Sequence, residues 1–184
     1  MRVVGVDDGA FPSSNREQQH TNLVAVLFQS LQILAARVGR IEVDGRDANR
    51  VLEKLLRTIR FDAVMLSGIS FGGFNLVDIS NLARATRKPV LAILGEKPDN
   101  SAVRNALRAH FSDWEERWRM VRAAGRLYSY KPLPKEPKLY YEVKGAPPYV
   151  ARSIIASTAT ISRLPEPVRV ASILARGLSG LDMD

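Results

Sequence analysis

The chain has 184 residues, 46% hydrophobic and 25% charged, the balance of a soluble globular domain with room for a real core. Lys and Arg outnumber Asp and Glu by 27 to 19, which gives a net charge of +8 and a pI near 10.1 and points to an acidic partner: nucleic acid, nucleotide or an anionic membrane surface. With no cysteine, the chain cannot form disulfides, iron–sulfur clusters, thiolate zinc sites or a Cys nucleophile, and its two histidines, His20 and His110, are too few for a His-rich zinc site. The metal option left open is a hard cation on carboxylates, Mg²⁺ or Mn²⁺. The N-terminus carries no signal-peptide pattern and no apolar run is long enough to span a bilayer, so the expected location is cytoplasmic.

The apolar, β-branched run Val3–Val6 predicts a buried strand ending at Asp7-Asp8-Gly9. Carboxylates at the carboxyl end of a central strand stand where open α/β sheets place ligands, and successive residues point to opposite faces, so Asp7 and Asp8 should do different work. One of them is a candidate metal ligand or general base; the competing reading is an ordinary polar turn. Phe11–Glu17 reads as a loop. His20–Phe28 and Leu31–Val43 read as strands joined by a tight turn at Gln29-Ser30, completing a three-stranded antiparallel meander, although Leu31–Val38 also fits a helix.

Asp44-Gly45-Arg46-Asp47-Ala48 then leads into a helix whose apolar stripe is Val51, Leu52, Leu55, Leu56 and Ile59, with Asp47 as its expected N-cap. Phe61–Leu66 predicts a parallel core strand. Ser67–Asn75 is a glycine-rich loop, and Leu76–Thr86 a helix with Leu76, Ile79, Leu82 and Ala83 on one face. In the loop, Gly68, Gly72 and Gly73 allow backbone N–H groups to approach a phosphate or a base edge, with Phe74, Asn75 and Asp78 beside them at the start of the helix. The spacing is neither a Walker nor a Rossmann fingerprint.

Val90–Leu94 is a further short strand, so the order β-β-β-α-β-α-β emerges, that of a ribonuclease H-like mixed sheet: an antiparallel meander followed by parallel βαβ units, with helices on both faces. Asp99–Leu107 and Ser112–Ala124 predict helices, the second packing inward through Trp114, Trp118, Met120 and Val121 and stopped by Gly125, with base stacking by the tryptophans as the other option. Three prolines make Lys131–Lys138 an extended connector, Leu139–Val143 reads as an edge strand with exposed tyrosines, and Pro147–Thr160 and Pro167–Leu178 are the last helices. No domain boundary is visible, so residues 1–184 are expected to form one domain. No Ser–His–acid arrangement is present.

Val4-Gly-Val-Asp-Asp-Gly-Ala-Phe11, Val43-Asp-Gly-Arg-Asp-Ala48, Gly73-Phe-Asn-Leu-Val-Asp-Ile79 and Lys88-Pro-Val-Leu91 resemble an archaeal family known as domain of unknown function 99. That family is similar to endonuclease V, a Mg²⁺-dependent nuclease of ribonuclease H-like fold acting on deaminated nucleic acid. Arg163-Leu-Pro-Glu-Pro-Val-Arg169 resembles that nuclease's closing motif. The resemblance implies Asp7 as a metal-binding and catalytic residue and Asp44, with Asp47 as the alternative, as a second carboxylate. It also implies departures. Ser67 stands where the nuclease has its second metal-binding Asp, Val143–Pro147 lacks the nuclease's late His, and the Pro-Tyr-Ile-Pro wedge is missing between Arg40 and Asp44.

Two functions are therefore expected. The first is a nucleic-acid- or nucleotide-directed protein with a divalent cation at Asp7, Asp8, Asp44 and Asp47, hydrolysing phosphodiesters if catalytic. The second is a binding module that retains the nuclease scaffold without the chemistry. A sugar-kinase or actin-like phosphate site at the first strand is disfavoured because the duplicated domain it needs is absent.

Overall fold

The fold is given by a computed structural model in which residues 1–10 and 19–179 are described. The loop expected over Phe11–Glu17 lies outside the described residues. Strand β1 (Arg2–Asp8) is buried from Val3 to Val6 and runs through the middle of a seven-stranded sheet. Strands β2 (His20–Gln29) and β3 (Gln32–Glu42) fold back antiparallel on one side of it, the turn between them placing Ser30 in a left-handed conformation. Leu31–Val38 is thus extended rather than helical. Strand β3 is an edge whose residues are mostly exposed, and Arg37 and Arg40 on it discourage pairing with another chain.

On the other side of β1 lie β4 (Ala63–Leu66) and β7 (Val90–Leu94), both parallel to their inner neighbours, as their wholly apolar sequences require. The sheet then continues with β9 (Leu139–Lys144) and β8 (Tyr128–Tyr130), each antiparallel to its inner neighbour, in the order β3-β2-β1-β4-β7-β9-β8. This corrects the sequence reading of Leu139–Val143 as an edge: β9 is interior, Tyr141 is fully buried, and the edge is β8. Three-residue β8 carries too short a pattern to be legible; it pairs antiparallel with β9, and Tyr128 stacks on Tyr141 with ring centroids 5.4 Å apart.

Helices α1 (Ala48–Leu56) and α2 (Ile79–Thr86) cover one face, where Val51, Leu52, Leu56, Ile79 and Leu82 pack on Val4, Val6, Val64 and Leu66. Helices α5 (Pro148–Thr158) and α6 (Glu166–Gly177) cover the other, where Ile154, Ile155 and Val168 pack on Val3, Met65, Leu91 and Tyr141. Two further helices, α3 (Asn100–His110) and α4 (Trp114–Ala123), pack on each other. The alternation of odd and even residues along β1 between the two apolar clusters fixes which way its terminal carboxylates point.

The start of α6 crosses β1 at Gly5. A Cβ added there would overlap the Pro167 carbonyl, so a hydrogen side chain is required for the helix to sit on the central strand. Gly5→Ala is expected to lower unfolding free energy by about 3 kcal/mol or more, the upper end of overpacking, because the obstacle is backbone and not a side chain that can turn away. Urea denaturation followed by circular dichroism measures it, and an unchanged midpoint would show that α6 does not dock there.

Candidate active site

The parallel register between β1 and β4 pairs Val6 with Leu66, so the next residue of each strand, Asp7 and Ser67, emerges at the same rim. The Ser67 amide donates to the Val6 carbonyl at 3.0 Å and the Ser67 hydroxyl donates to Asp7 Oδ1 in a short hydrogen bond. The same Asp7 oxygen accepts the Asp8 amide at 2.9 Å. Ser67 therefore does face the carboxylate beside which the resemblance placed it, as a hydroxyl donor.

Asp8 alternates with Asp7 along β1, yet at the strand end the two carboxyls come within hydrogen-bonding reach; Asp8 Oδ2 accepts the Gly72 amide at 2.5 Å. Burial pushes its carboxyl up to about 6 from an ordinary 3.8; the Gly72 hydrogen bond opposes this, and the charge and hydrogen bonding of Asp7 add to the rise. Two adjacent carboxyls, one poised near neutrality, line a cavity of about 410 Å³ with Gly9, Ala10 and Arg176 of α6. A larger cavity of about 880 Å³ lies at the opposite pole, where residues such as Arg2, Phe61 and Lys88 line it. It holds none of the carboxylates of the strand rim.

The glycine-rich stretch is a small hairpin, β5 (Ser70–Phe71) and β6 (Asn75–Leu76), not a loose loop. Gly68, Gly72 and Gly73 all have positive φ (102°, 50° and 82°), which accounts for three glycines in so short a span. At Gly73 a Cβ would also overlap the Asp44 carboxylate. Asp44, itself left-handed at φ 57°, donates its amide to the Gly72 carbonyl at 2.7 Å and accepts the Phe74 amide on Oδ1 at 2.8 Å. The Gly72 residue is thus gripped through its amide by Asp8 and through its carbonyl by Asp44.

The remaining expected site residues are engaged within the fold. Asn75 is fully buried; its amide group donates to the Glu42 carbonyl and to Asp47 Oδ1, and its Oδ1 accepts the Ala48 amide at 3.0 Å. Asp47 occupies the N-cap position of α1 but makes no capping bond; Asn75 caps that helix from a distance, and Asp47 Oδ1 accepts the amides of Glu42 and Asn75 instead. Asp78 is the N-cap of α2, accepting from Ser80 and Asn81, so the helix begins at Ile79 and not at Leu76, and its positive end already has its carboxylate. Phe74 meets Phe111 edge-on at 5.5 Å. Among the described residues no group of three or more His, Cys, Asp or Glu is gathered to hold a metal ion. The structure brings together Asp7, Asp8 and Ser67, and links Asp44 to them through Gly72.

Arg117, which the sequence reading passed over, is the buried residue of α4, where tryptophans were expected; Trp114 and Trp118 are half-exposed instead. Its guanidinium donates to Asp113 at 3.0 Å and to the carbonyls of Asp44, Gly45 and Phe74 at 2.9, 3.1 and 2.6 Å, and lies 4.3 Å from the Phe111 ring centroid. Its place among Trp114, Trp118 and Val121 at helical spacing was the available signal. Arg46 adds an exposed clasp to Asp113 and Glu116.

The sheet order is that of a ribonuclease H-like fold, the fold of the endonuclease V structures it superposes on. The endonuclease V of Ciona intestinalis, solved with a 24mer DNA containing an inosine followed by a ribo-adenosine, superposes with a TM-score of 0.59 at 13% identity over 96% of this chain and 84% of that one, a likeness of fold. A family model described as Endonuclease dU matches residues 1–179, and the chain belongs to that family. A UPF0215 protein of Thermococcus sibiricus is 39% identical over 180 residues, covering 95% of this chain and 90% of the relative. A protein of unknown function from Archaeoglobus fulgidus shares the fold with a TM-score of 0.82 and 27% identity, over 95% of each chain. The resemblance to an uncharacterised family with an endonuclease V-like scaffold is borne out.

Because the folded state holds protons on Asp8 up to about pH 6 and on Glu142, lifted by burial, up to about pH 7, the folded chain binds more protons than the unfolded one above the ordinary carboxylate range. The stability these two groups contribute is then full below the ordinary carboxylate range and is lost as pH rises through about 6 to 7. Asp8→Asn should remove Asp8's share of that fall, seen as a flatter melting-temperature profile between pH 4 and 7. A variant with the wild-type slope would mean that Asp8 is not the titrating group.

Proposed function

We propose that this protein is a divalent-metal-dependent endonuclease that hydrolyses a phosphodiester in DNA bearing a deaminated base, with deoxyuridine, after the family's description, as the first substrate to try. The observation that carries the reading is the Asp7–Asp8 pair with Ser67 at the carboxyl end of the central strand. A partly buried carboxyl beside a second one suits a hard dication, and Mg²⁺ ordinarily takes one or two protein carboxylates and fills its other positions with water and substrate phosphate. The residues present fit such a site, with Asp7 and Asp8 as the ligands. A cation there supplies Lewis-acid polarisation of the phosphodiester and a more acidic water.

The chain's own groups have separable duties in this reading. Asp7 would be one of the two residues that hold the cation, with the Ser67 hydroxyl fixing its Oδ1 so that the other oxygen is free to face it. Asp8 is fixed by the Gly72 amide, so its carboxyl cannot swing out of the rim. Arg176, on the wall of the same cavity, faces a phosphate with a matching charge. Asp44 positions the hairpin from behind, and Asp47, Asn75 and Asp78 hold the scaffold. Gly73 and Phe74, half-buried at the turn of the hairpin, are what a base or phosphate would meet, with the buried Gly68 leading into it.

A second reading, a binding module that keeps the scaffold without the chemistry, is favoured by Ser67. A hydroxyl in place of a third carboxylate leaves a cation with one charge fewer to hold it. Cleavage of a uracil-containing oligonucleotide in Mn²⁺ decides between them. The endonuclease reading expects cutting that falls by roughly 100-fold or more in Asp7→Asn, because the cation loses one of its two charged ligands, with an unchanged melting temperature. Wild type that leaves deoxyuridine and deoxyinosine substrates intact would favour the module. Independently, Ser67→Asp should tighten Mn²⁺ binding roughly tenfold by calorimetry, since affinity follows ligand charge. Unaltered affinity would place the cation away from this rim.

A further inference from the structure

Beyond the strand rim, the helical pair α3–α4 carries a second concentration of unexplained chemistry. Arg104 and Arg108, one turn apart on α3, lie over the Trp114 ring, with guanidinium carbons 5.9 and 5.3 Å from its centroid. Trp114, Trp118 and Arg122 follow one another at four-residue spacing on α4, and with Arg104, Glu115 and Arg119 they line a surface cavity of about 310 Å³. All four arginines are exposed, and among the described residues none of them is in an ion pair; Glu115, the one carboxylate on the wall, pairs with none within 4.0 Å. Four unneutralised cations around two half-exposed indoles repel one another, which a polyanion would relieve.

We propose that the Arg–Trp face of α3–α4 binds single-stranded nucleic acid, with a base stacked on Trp114 or Trp118 and the neighbouring phosphates on the arginines. Flat apolar rings alternating with cations match a strand that alternates bases with phosphates, and stacking requires bases that are not already paired. An acidic protein or a lipid surface would use the charge but leave the indoles without partners. When a base takes the face of Trp114, Arg104 and Arg108 are released to phosphate, so no cation is left buried.

The placement deepens the endonuclease reading and rests on it for its purpose. Arg117, on the same helix as both tryptophans, locks α4 to the carbonyls of Asp44, Gly45 and Phe74. The strand platform is therefore held in fixed relation to the hairpin that grips Asp8. A strand lying on α4 would run beside the segment between β3 and α1, which Arg117 ties to that helix.

Trp114 and Trp118 are the only two tryptophans of the chain, so indole emission reports on this face alone. The experiment titrates the full chain with unmodified oligodeoxythymidine in EDTA, where nothing is cut, so its failure and a failure of the cleavage assay are distinguishable. Saturable quenching is expected, with affinity falling roughly 20-fold between 50 and 200 mM salt for about three phosphate contacts. Arg104→Gln combined with Arg108→Gln, Arg119→Gln and Arg122→Gln should abolish it at 200 mM salt. Trp114→Phe should weaken binding roughly tenfold if a base stacks there. Because these side chains are exposed or half-exposed, circular dichroism of each variant should match wild type. Absence of saturable quenching, a quadruple variant that binds as wild type does, or an equally tight fully paired duplex would each overturn the proposal.

Discussion

One peptide residue, Gly72, holds the functional end of this molecule together. Its amide is taken by Asp8 at the end of the central strand, and its carbonyl receives the amide of Asp44 from beyond the third strand. Two segments far apart in sequence are thereby fixed to a hairpin whose turn has Gly72 and Gly73 at positive φ, with no room for a Cβ at Gly73 beside the Asp44 carboxylate. Arg117 braces the far side by donating to three carbonyls from two separate segments. Loosening this arrangement would leave Asp8 without its donor and the hairpin without its register.

The grip on Gly72 also sets the electrostatics of the rim. A carboxylate taken partly out of water beside a second carboxylate is unfavourable, and here burial is the larger cause. A bound proton, a hydrogen-bond donor or a cation can each answer that cost. Ser67 supplies a donor to Asp7, and Gly72 supplies one to Asp8, which leaves charge at the rim only partly met. A site in that condition is suited to a cation that arrives with substrate, in contrast to a fully carboxylate-lined site that holds its ion permanently.

The sheet was legible in the sequence where pattern was strong. Val3–Val6, Ala63–Leu66 and Val90–Leu94 are short, apolar and bounded by turn residues, and all three are core strands. Strand β8 and the interior position of β9 were not legible, because an interior antiparallel strand with two tyrosines of its own looks like an amphipathic edge until its partner is known. At the site, Asp7, Asp8 and the hairpin glycines could be singled out from type and spacing. The duties of Asn75, Asp47 and Asp78 could not, since a polar residue that caps or braces reads the same as one that binds. Arg117 was hidden because an arginine within an apolar stripe is expected to reach solvent, and here it turns inward to carbonyls supplied by distant segments.

The central claim is that Asp7 and Asp8 form one cation site at the end of the central strand. Crystals soaked in Mn²⁺ and measured for anomalous scattering test it most directly. The account predicts a single strong peak within coordination distance of carboxylate oxygens from both residues, about 2.2 Å. Ordered manganese elsewhere on the chain, with none between these two side chains, would contradict it.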